Sequence, residues 1–143
     1  MEDRKLTENF TLREMCVTRT GIANEPTPEV EDNLFRLCRL YLQPLRSLFD
    51  TPIVIFSGYR CASVNKAVGG AKNSYHLKGM AADFWVESDR MAMQVMAILL
   101  VRSEDLVTVN KLAELYYDRS RKFIHIAIQD PNHLKDSIYL DIK

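Results

Sequence analysis

Ser74-Tyr75-His76-Leu77-Lys78-Gly79-Met80-Ala81-Ala82-Asp83 holds one of only three histidines in the 143-residue chain and, seven positions later, an aspartate in an otherwise apolar run. A strand beginning near Met80 puts Ala81, Asp83 and Trp85 on one face and Met80, Ala82 and Phe84 on the other. An ionised carboxylate in a half-buried strand costs several kcal/mol unless a cation or a set of donors meets it. A divalent metal is one such partner, with the nearby histidine as co-ligand. A neighbouring loop capped by the carboxylate is the other.

Downstream, Met80 to Val86 reads as this strand. Ser88 follows as an N-cap, with Asp89 in the first turn of an apolar helix through Met91, Val95, Met96, Ile98 and Leu99. The methionines there read as core filler. Phe123-Ile124-His125-Ile126-Ala127-Ile128 is a strand whose isoleucines form one face. Phe123, His125 and Ala127 form the other, so His125 stands opposite the core. Leu112 to Tyr117 is read as its hairpin partner, with Asp118 to Lys122 as the turn. The tail from residue 131 to 143, His133 included, carries no chemistry that the residues reveal.

Upstream, residues 1–9 read as a loose arm. Thr11-Leu12-Arg13-Glu14 has capping-box spacing and predicts a short helix to about Cys16. Thr27-Pro28-Glu29 starts a longer one: hydroxyl cap, proline at the first helical position, acid at the positive dipole end. Val30, Leu34, Leu37, Tyr41, Leu45 and Leu48 make one apolar stripe along it, which Pro44 kinks or splits. Ile53-Val54-Ile55-Phe56 reads as a buried strand. It delivers Ser57-Gly58-Tyr59-Arg60 to a strand end, where side chains commonly face a cleft; a solvated Arg60 fits the letters as well. Cys61 to Val68 makes two helical turns ended by Gly69-Gly70. The expected architecture is α+β: helices packed with a small, mainly antiparallel sheet in a single domain over residues 1–143, without repeats or low-complexity tracts.

Composition narrows the function. Nineteen basic residues balance nineteen acidic ones, so no charge excess points to nucleic acid or an anionic membrane. No apolar run reaches the roughly 20 residues that span a bilayer, and the polar N-terminus is not followed by the apolar core of a secretory signal. Cys16, Cys38 and Cys61 are odd in number and widely spaced, which excludes a disulfide framework or a thiolate zinc site and predicts buried free thiols. A metal here is therefore held by histidine and carboxylate. His76, Asp83 and His125 give two imidazoles and one carboxylate, a set that fits a catalytic zinc with a position left for water.

Ser57-Gly58-Tyr59-Arg60, then Val64-Asn65-Lys66-Ala67-Val68-Gly69-Gly70, then the Ser74-x-His76-x-x-Gly79-x-Ala81-x-Asp83 run, and a histidine in a late apolar strand, together resemble the M15 family of zinc peptidases. That family includes D-Ala-D-Ala carboxypeptidases, D,D-dipeptidases and L-alanyl-D-glutamate endolysins, and shares its fold with the hedgehog signalling domain. The likeness covers roughly residues 6 to 128. It implies Zn2+ bound by His76, Asp83 and His125. It implies that Arg60 steadies the substrate carbonyl or its developing oxyanion, a role for which an always-charged, multi-donor guanidinium is suited. Ser74 would donate a hydrogen bond to substrate, Gly79 would permit the turn between ligands, and Ala81 would keep the site floor low.

One position departs from the pattern. Many members carry glutamate three residues before the last histidine, where it acts as general base; here that residue is Lys122. Asp118 is the nearest acid that could substitute, and Glu114 a more distant one. The resemblance thus implies a zinc peptidase that hydrolyses an amide in peptidoglycan stem peptides, of the carboxypeptidase or endolysin type. The alternative it leaves is a zinc-bearing module that has lost its base and binds murein or a protein. A monomer made in the cytoplasm is expected, released by lysis as for a phage or mobile-element endolysin; recycling of internalised muropeptides fits as well.

Overall fold

Side-chain caps set where three of the α-helices of the computed structural model begin; the model describes residues 2–143. Thr11 and Glu14 close a reciprocal capping box at α1 (Leu12–Met15), and Thr27 accepts from the Val30 amide at α2 (Pro28–Leu37), which opens on Pro28. Each hydroxyl satisfies a backbone donor that the first helical turn leaves without a partner. The stripe on α2 is buried at Val30, Leu34 and Leu37 and continues through Tyr41 and Leu45, but Leu48 is 65% exposed, contrary to expectation. Before Pro44 the helix widens into a π-turn over Cys38–Leu42, then resumes as α3 (Gln43–Phe49). Pro44 has no N–H to offer Leu40, whose carbonyl instead accepts from Arg102 Nε.

The main sheet has the order β3-β4-β6-β5-β7. Its strands are β3 (Ile55–Ser57), β4 (Ala81–Trp85), β5 (Leu112–Asp118), β6 (Phe123–Ile128) and β7 (Tyr139–Ile142). All neighbours run antiparallel except β5 and β7, which are parallel. The α+β reading therefore holds. The first strand starts two residues later than its apolar run, although Val54 still accepts from the Trp85 amide. Helix α4 (Ala62–Ala67) follows β3, and α5 (Asp89–Glu104) is capped by Ser88 as the sequence indicates.

Two segments differ from expectation. The arm is not wholly loose: Lys5–Thr7 forms β1, paired with β2 (Phe10–Thr11). The tail forms β7, because its alternating Tyr139, Leu140, Asp141 and Ile142 find the open edge of β5.

Period-two alternation sorts the sheet into two faces. Ala82, Phe84, Leu115, Tyr117, Ile124, Ile126 and Ile128 pack with Leu34, Leu37, Tyr41, Val95 and Leu99 from the helices. Burial of each large apolar side chain is worth roughly 1.5–3 kcal/mol, and this layer fixes the register of everything on the opposite face. Cys16 and Cys38 are buried free thiols, while Cys61 is only half-buried.

Candidate metal centre

Register alone places the site. Ser57 pairs with Asp83, Asp83 with His125, and His125 with Tyr116, so four strands contribute one row across the face opposite the core. His76 enters from outside the sheet, on a 3-10 turn over Tyr75–Lys78. Ser74 caps that turn by accepting from the His76 amide at 3.1 Å. Gly79 ends it at φ +71°, where an added Cβ would lie 2.9 Å from Val30, so the turn between the two residues needs glycine. His76, Asp83 and His125 are all buried, and each brings one potential ligand atom within 4.8 Å of the others.

The hydrogen bonds around these three residues leave a cation-shaped need. His76 Nδ1 lies 2.6 Å from the Gly58 carbonyl, which can only accept; Nδ1 therefore donates to it, and Nε2 is the ring nitrogen that faces the cluster. That Nε2 is buried without a hydrogen-bond partner among the described residues, although Asp83 Oδ2 is 3.2 Å away. The contact lacks hydrogen-bond geometry, so Nε2 and the carboxylate oxygen face each other unbonded. A metal ion between them satisfies both.

His125 lies between two carboxylates. Its Nδ1 is 2.7 Å from Asp83 Oδ1 and its Nε2 is 2.8 Å from Glu114 Oε1. Burial would lower its pKa, but the bonds to Asp83 and Glu114 outweigh burial and raise it to about 9. Burial pushes the Asp83 carboxyl up, yet His76 and His125 prevail and hold it well below the usual carboxylate range. A metal at Nδ1 would displace one proton from the ring, while Glu114 kept the Nε2–H in place, the outer-shell carboxylate arrangement typical of metal-bound histidines.

Arg60 is pinned rather than solvated. Nε donates to Ser57 Oγ at 2.9 Å, one terminal nitrogen to Asn65 Oδ1 at 3.1 Å, and the other lies 3.5 Å from Asp83 Oδ2. Gly70 makes room for this: a Cβ there would meet Asn65 Oδ1 at 2.0 Å and Arg60 Nη1 at 2.7 Å. Asn65 carried no signal of its own in the sequence beyond its place in the family-like run.

The structure does not bring Asp118 to the cluster. Its carboxylate closes the β5–β6 turn, accepting from Ser120 Oγ and the Arg121 amide. Lys122 occupies that turn at φ +58° and reaches Asp89 at 3.1 Å, away from the site. The carboxylate beside the cluster is Glu114, supplied by the neighbouring strand.

These side chains line a cleft of 760 Å³ that holds Arg60, Ser74, His76, Asp83, Glu114 and His125, with Tyr139 and Lys143 from the β7 side. A second cavity of 510 Å³ shares Asn73, Ser74 and Glu114 as walls and extends toward Lys72 and Lys135, with His133 from the tail on its wall. The ligand cluster thus lies along a groove rather than at a closed end.

Residues 5–127 match the family model for peptidase M15. The chain belongs to peptidase family M15. M15 peptidases are metallopeptidases, and the buried His76, Asp83 and His125 group could bind their metal. The chain is 32% identical over 113 residues to the peptidoglycan L,D-endopeptidase MepK of Escherichia coli K12, an alignment covering 74% of this chain and 53% of that protein. MepK of Shigella flexneri gives the same figures. The chain spans about half the length of these curated relatives. The M15 match includes Glu114 and all three cluster residues, whereas β7 lies beyond it.

Proposed function

We propose that this M15 chain is a zinc-dependent peptidase that cuts an internal amide of peptidoglycan stem peptides. The observation that carries the reading is His76 Nε2: buried, turned toward Asp83 because Nδ1 is held by the Gly58 carbonyl, and without a hydrogen bond of its own. His76, Asp83 and His125 form a nitrogen–oxygen donor set suited to zinc. Zinc bound there supplies Lewis acidity and lowers the pKa of water.

The chain's own residues do the rest. Arg60, anchored at Ser57 and Asn65, presents a fixed positive charge to the carbonyl oxygen as it becomes an oxyanion. Ser74 has used its oxygen to accept from His76, which leaves its O–H to donate to the peptide backbone. Glu114 is the one carboxylate on the cleft wall besides Asp83. It receives the proton of the attacking water and returns it to the leaving amine. A catalytic carboxylate on β5 removes the main argument for an inert module, since the base missing at position 122 is available at 114. The groove continuing past the cluster, and the endopeptidase activity in the relatives' name, support an internal cut over removal of a terminal residue.

Purified protein loaded with zinc should split defined muropeptides at an internal stem-peptide amide, as read by mass spectrometry, and His125→Ala should lose both the metal and the cut. A zinc-loaded chain inert on every stem peptide would overturn the proposal.

A further inference from the structure

We infer that Lys143, with Arg121, forms a carboxylate-binding pole at the β7 end of the cleft and selects peptides that carry a free carboxylate there. The inference rests on the reading of this cleft as a stem-peptide site; Lys143 lies beyond the family match and Arg121 within it.

Lys143 is held in place from both sides. Its amide donates to Tyr117 at 2.8 Å and its carbonyl accepts from the Arg119 amide at 3.1 Å, which extends the parallel ladder past Ile142. The ammonium sits 3.9 Å from the Tyr116 ring centroid. Tyr116 in turn stacks on His125, with centroids 4.6 Å apart and planes 16° from parallel. One aromatic ring therefore links the cation to a member of the cluster. That seat restricts an otherwise flexible lysine, so less freedom is lost when an anion arrives.

The cations nearby divide into two groups. Arg119 and Lys122, which do not line the main cleft, both reach Asp89, at 3.5 and 3.1 Å. Arg121 and Lys143 do line the cleft, and among the described residues no carboxylate lies within 4.0 Å of either charged group. The adjacent acids are engaged elsewhere: Asp141 accepts from Tyr139 Oη at 3.1 Å and from the Ile142 amide at 2.8 Å. Asp118 is held by the turn. Arg60 is committed to Asp83, Ser57 and Asn65. Arg121, whose charge is felt by Asp118 without an ion pair, and Lys143 are thus the cleft-lining cations not paired with a side-chain carboxylate, and a charge-assisted hydrogen bond to a carboxylate is what they can offer.

The test titrates the full chain, zinc-loaded and metal-free, with a stem tetrapeptide in three forms, followed by the fluorescence of its single tryptophan, Trp85, on the cleft wall. The forms are the free acid, the C-terminal amide, and the peptide with amidated side-chain carboxyls. The free acid should bind on the order of tenfold tighter than one of the two amides, and which amide loses identifies the carboxylate recognised. Lys143→Met should erase that preference, raising KM while leaving kcat within about twofold; Lys143→Arg should restore it. Equal response to all three peptides, or a preference that survives Lys143→Met, overturns the inference. Failure of the proposed activity looks different: the preference is present but no peptide is cut.

Discussion

Glu114 Oε1 lies 2.8 Å from His125 Nε2, while Asp83 holds the other ring nitrogen at 2.7 Å. The imidazole is thus oriented from both sides, and the proposed function gives Glu114 two separable tasks: accepting the Nε2–H and carrying a proton. Glutamine can do the first and not the second. Glu114→Gln should keep zinc affinity within a few-fold but lower kcat by about 10²–10⁴. Glu114→Ala should lose zinc affinity as well, by roughly 10–100-fold. Calorimetric zinc titration beside single-turnover hydrolysis separates the tasks, and a Glu114→Gln enzyme with near-normal kcat would move the base elsewhere.

Asp118 provides the matching control. Its partners are Ser120 and the Arg121 amide within one turn. Asp118→Asn should cost under about 1 kcal/mol in urea denaturation and leave kcat within twofold. A large loss of kcat would restore Asp118 to the chemistry.

The raised pKa of His125 sets a pH dependence with a definite sign. In the metal-free protein its folded value is about 9, above the roughly 6.5 of an unfolded histidine. The extra stability is complete below pH ~6.5 and is lost as pH rises toward 9, a change on the order of a few kcal/mol. Zinc bound as proposed would displace that proton, so its apparent affinity should rise about tenfold per pH unit across the same window. Denaturation and zinc titrations at several pH values between 6 and 9, with and without a chelator, read both trends; a flat affinity profile would contradict the assignment.

Gly70→Ala tests whether Arg60 must be held rather than merely present. The new methyl group would crowd Asn65 Oδ1 and Arg60 Nη1, both side-chain ends that can move. Thermal stability should change little, while kcat/KM falls about tenfold or more as the guanidinium loses its anchor. Gly79→Ala should behave oppositely. A positive φ of 71° and a clash with the Val30 backbone put the cost in stability, at about 1–2 kcal/mol or more.

Much of this was legible in the chain. The capping box at Thr11, the Thr27-Pro28 helix start, the Ser88 cap and the Phe123–Ile128 strand each announce themselves through a local rule, and the structure follows them. Asp83 and His125 were legible because strand alternation turns both away from the core, and His76 because it stands in the family-like run before Asp83. Glu114 entered only as a more distant alternative to Asp118, because its place beside His125 depends on which residue of β5 sits opposite Ala127 after an irregularity between Leu112 and Glu114. No local pattern encodes that pairing. The Gly58 carbonyl was hidden for a similar reason, since a backbone oxygen leaves no mark on residue type. Strand β7 was missed because a short exposed strand takes its order from the edge it joins.

His125 rides on β6, and β6 is threaded between β4 and β5 rather than added at a margin. Of the three groups able to grasp an ion, the last to be synthesised therefore arrives only with the middle of the sheet. Ion capture at the proposed site would therefore be a late event that reports a finished interior. A ribosome-bound fragment ending before residue 125 should take up no zinc at this site.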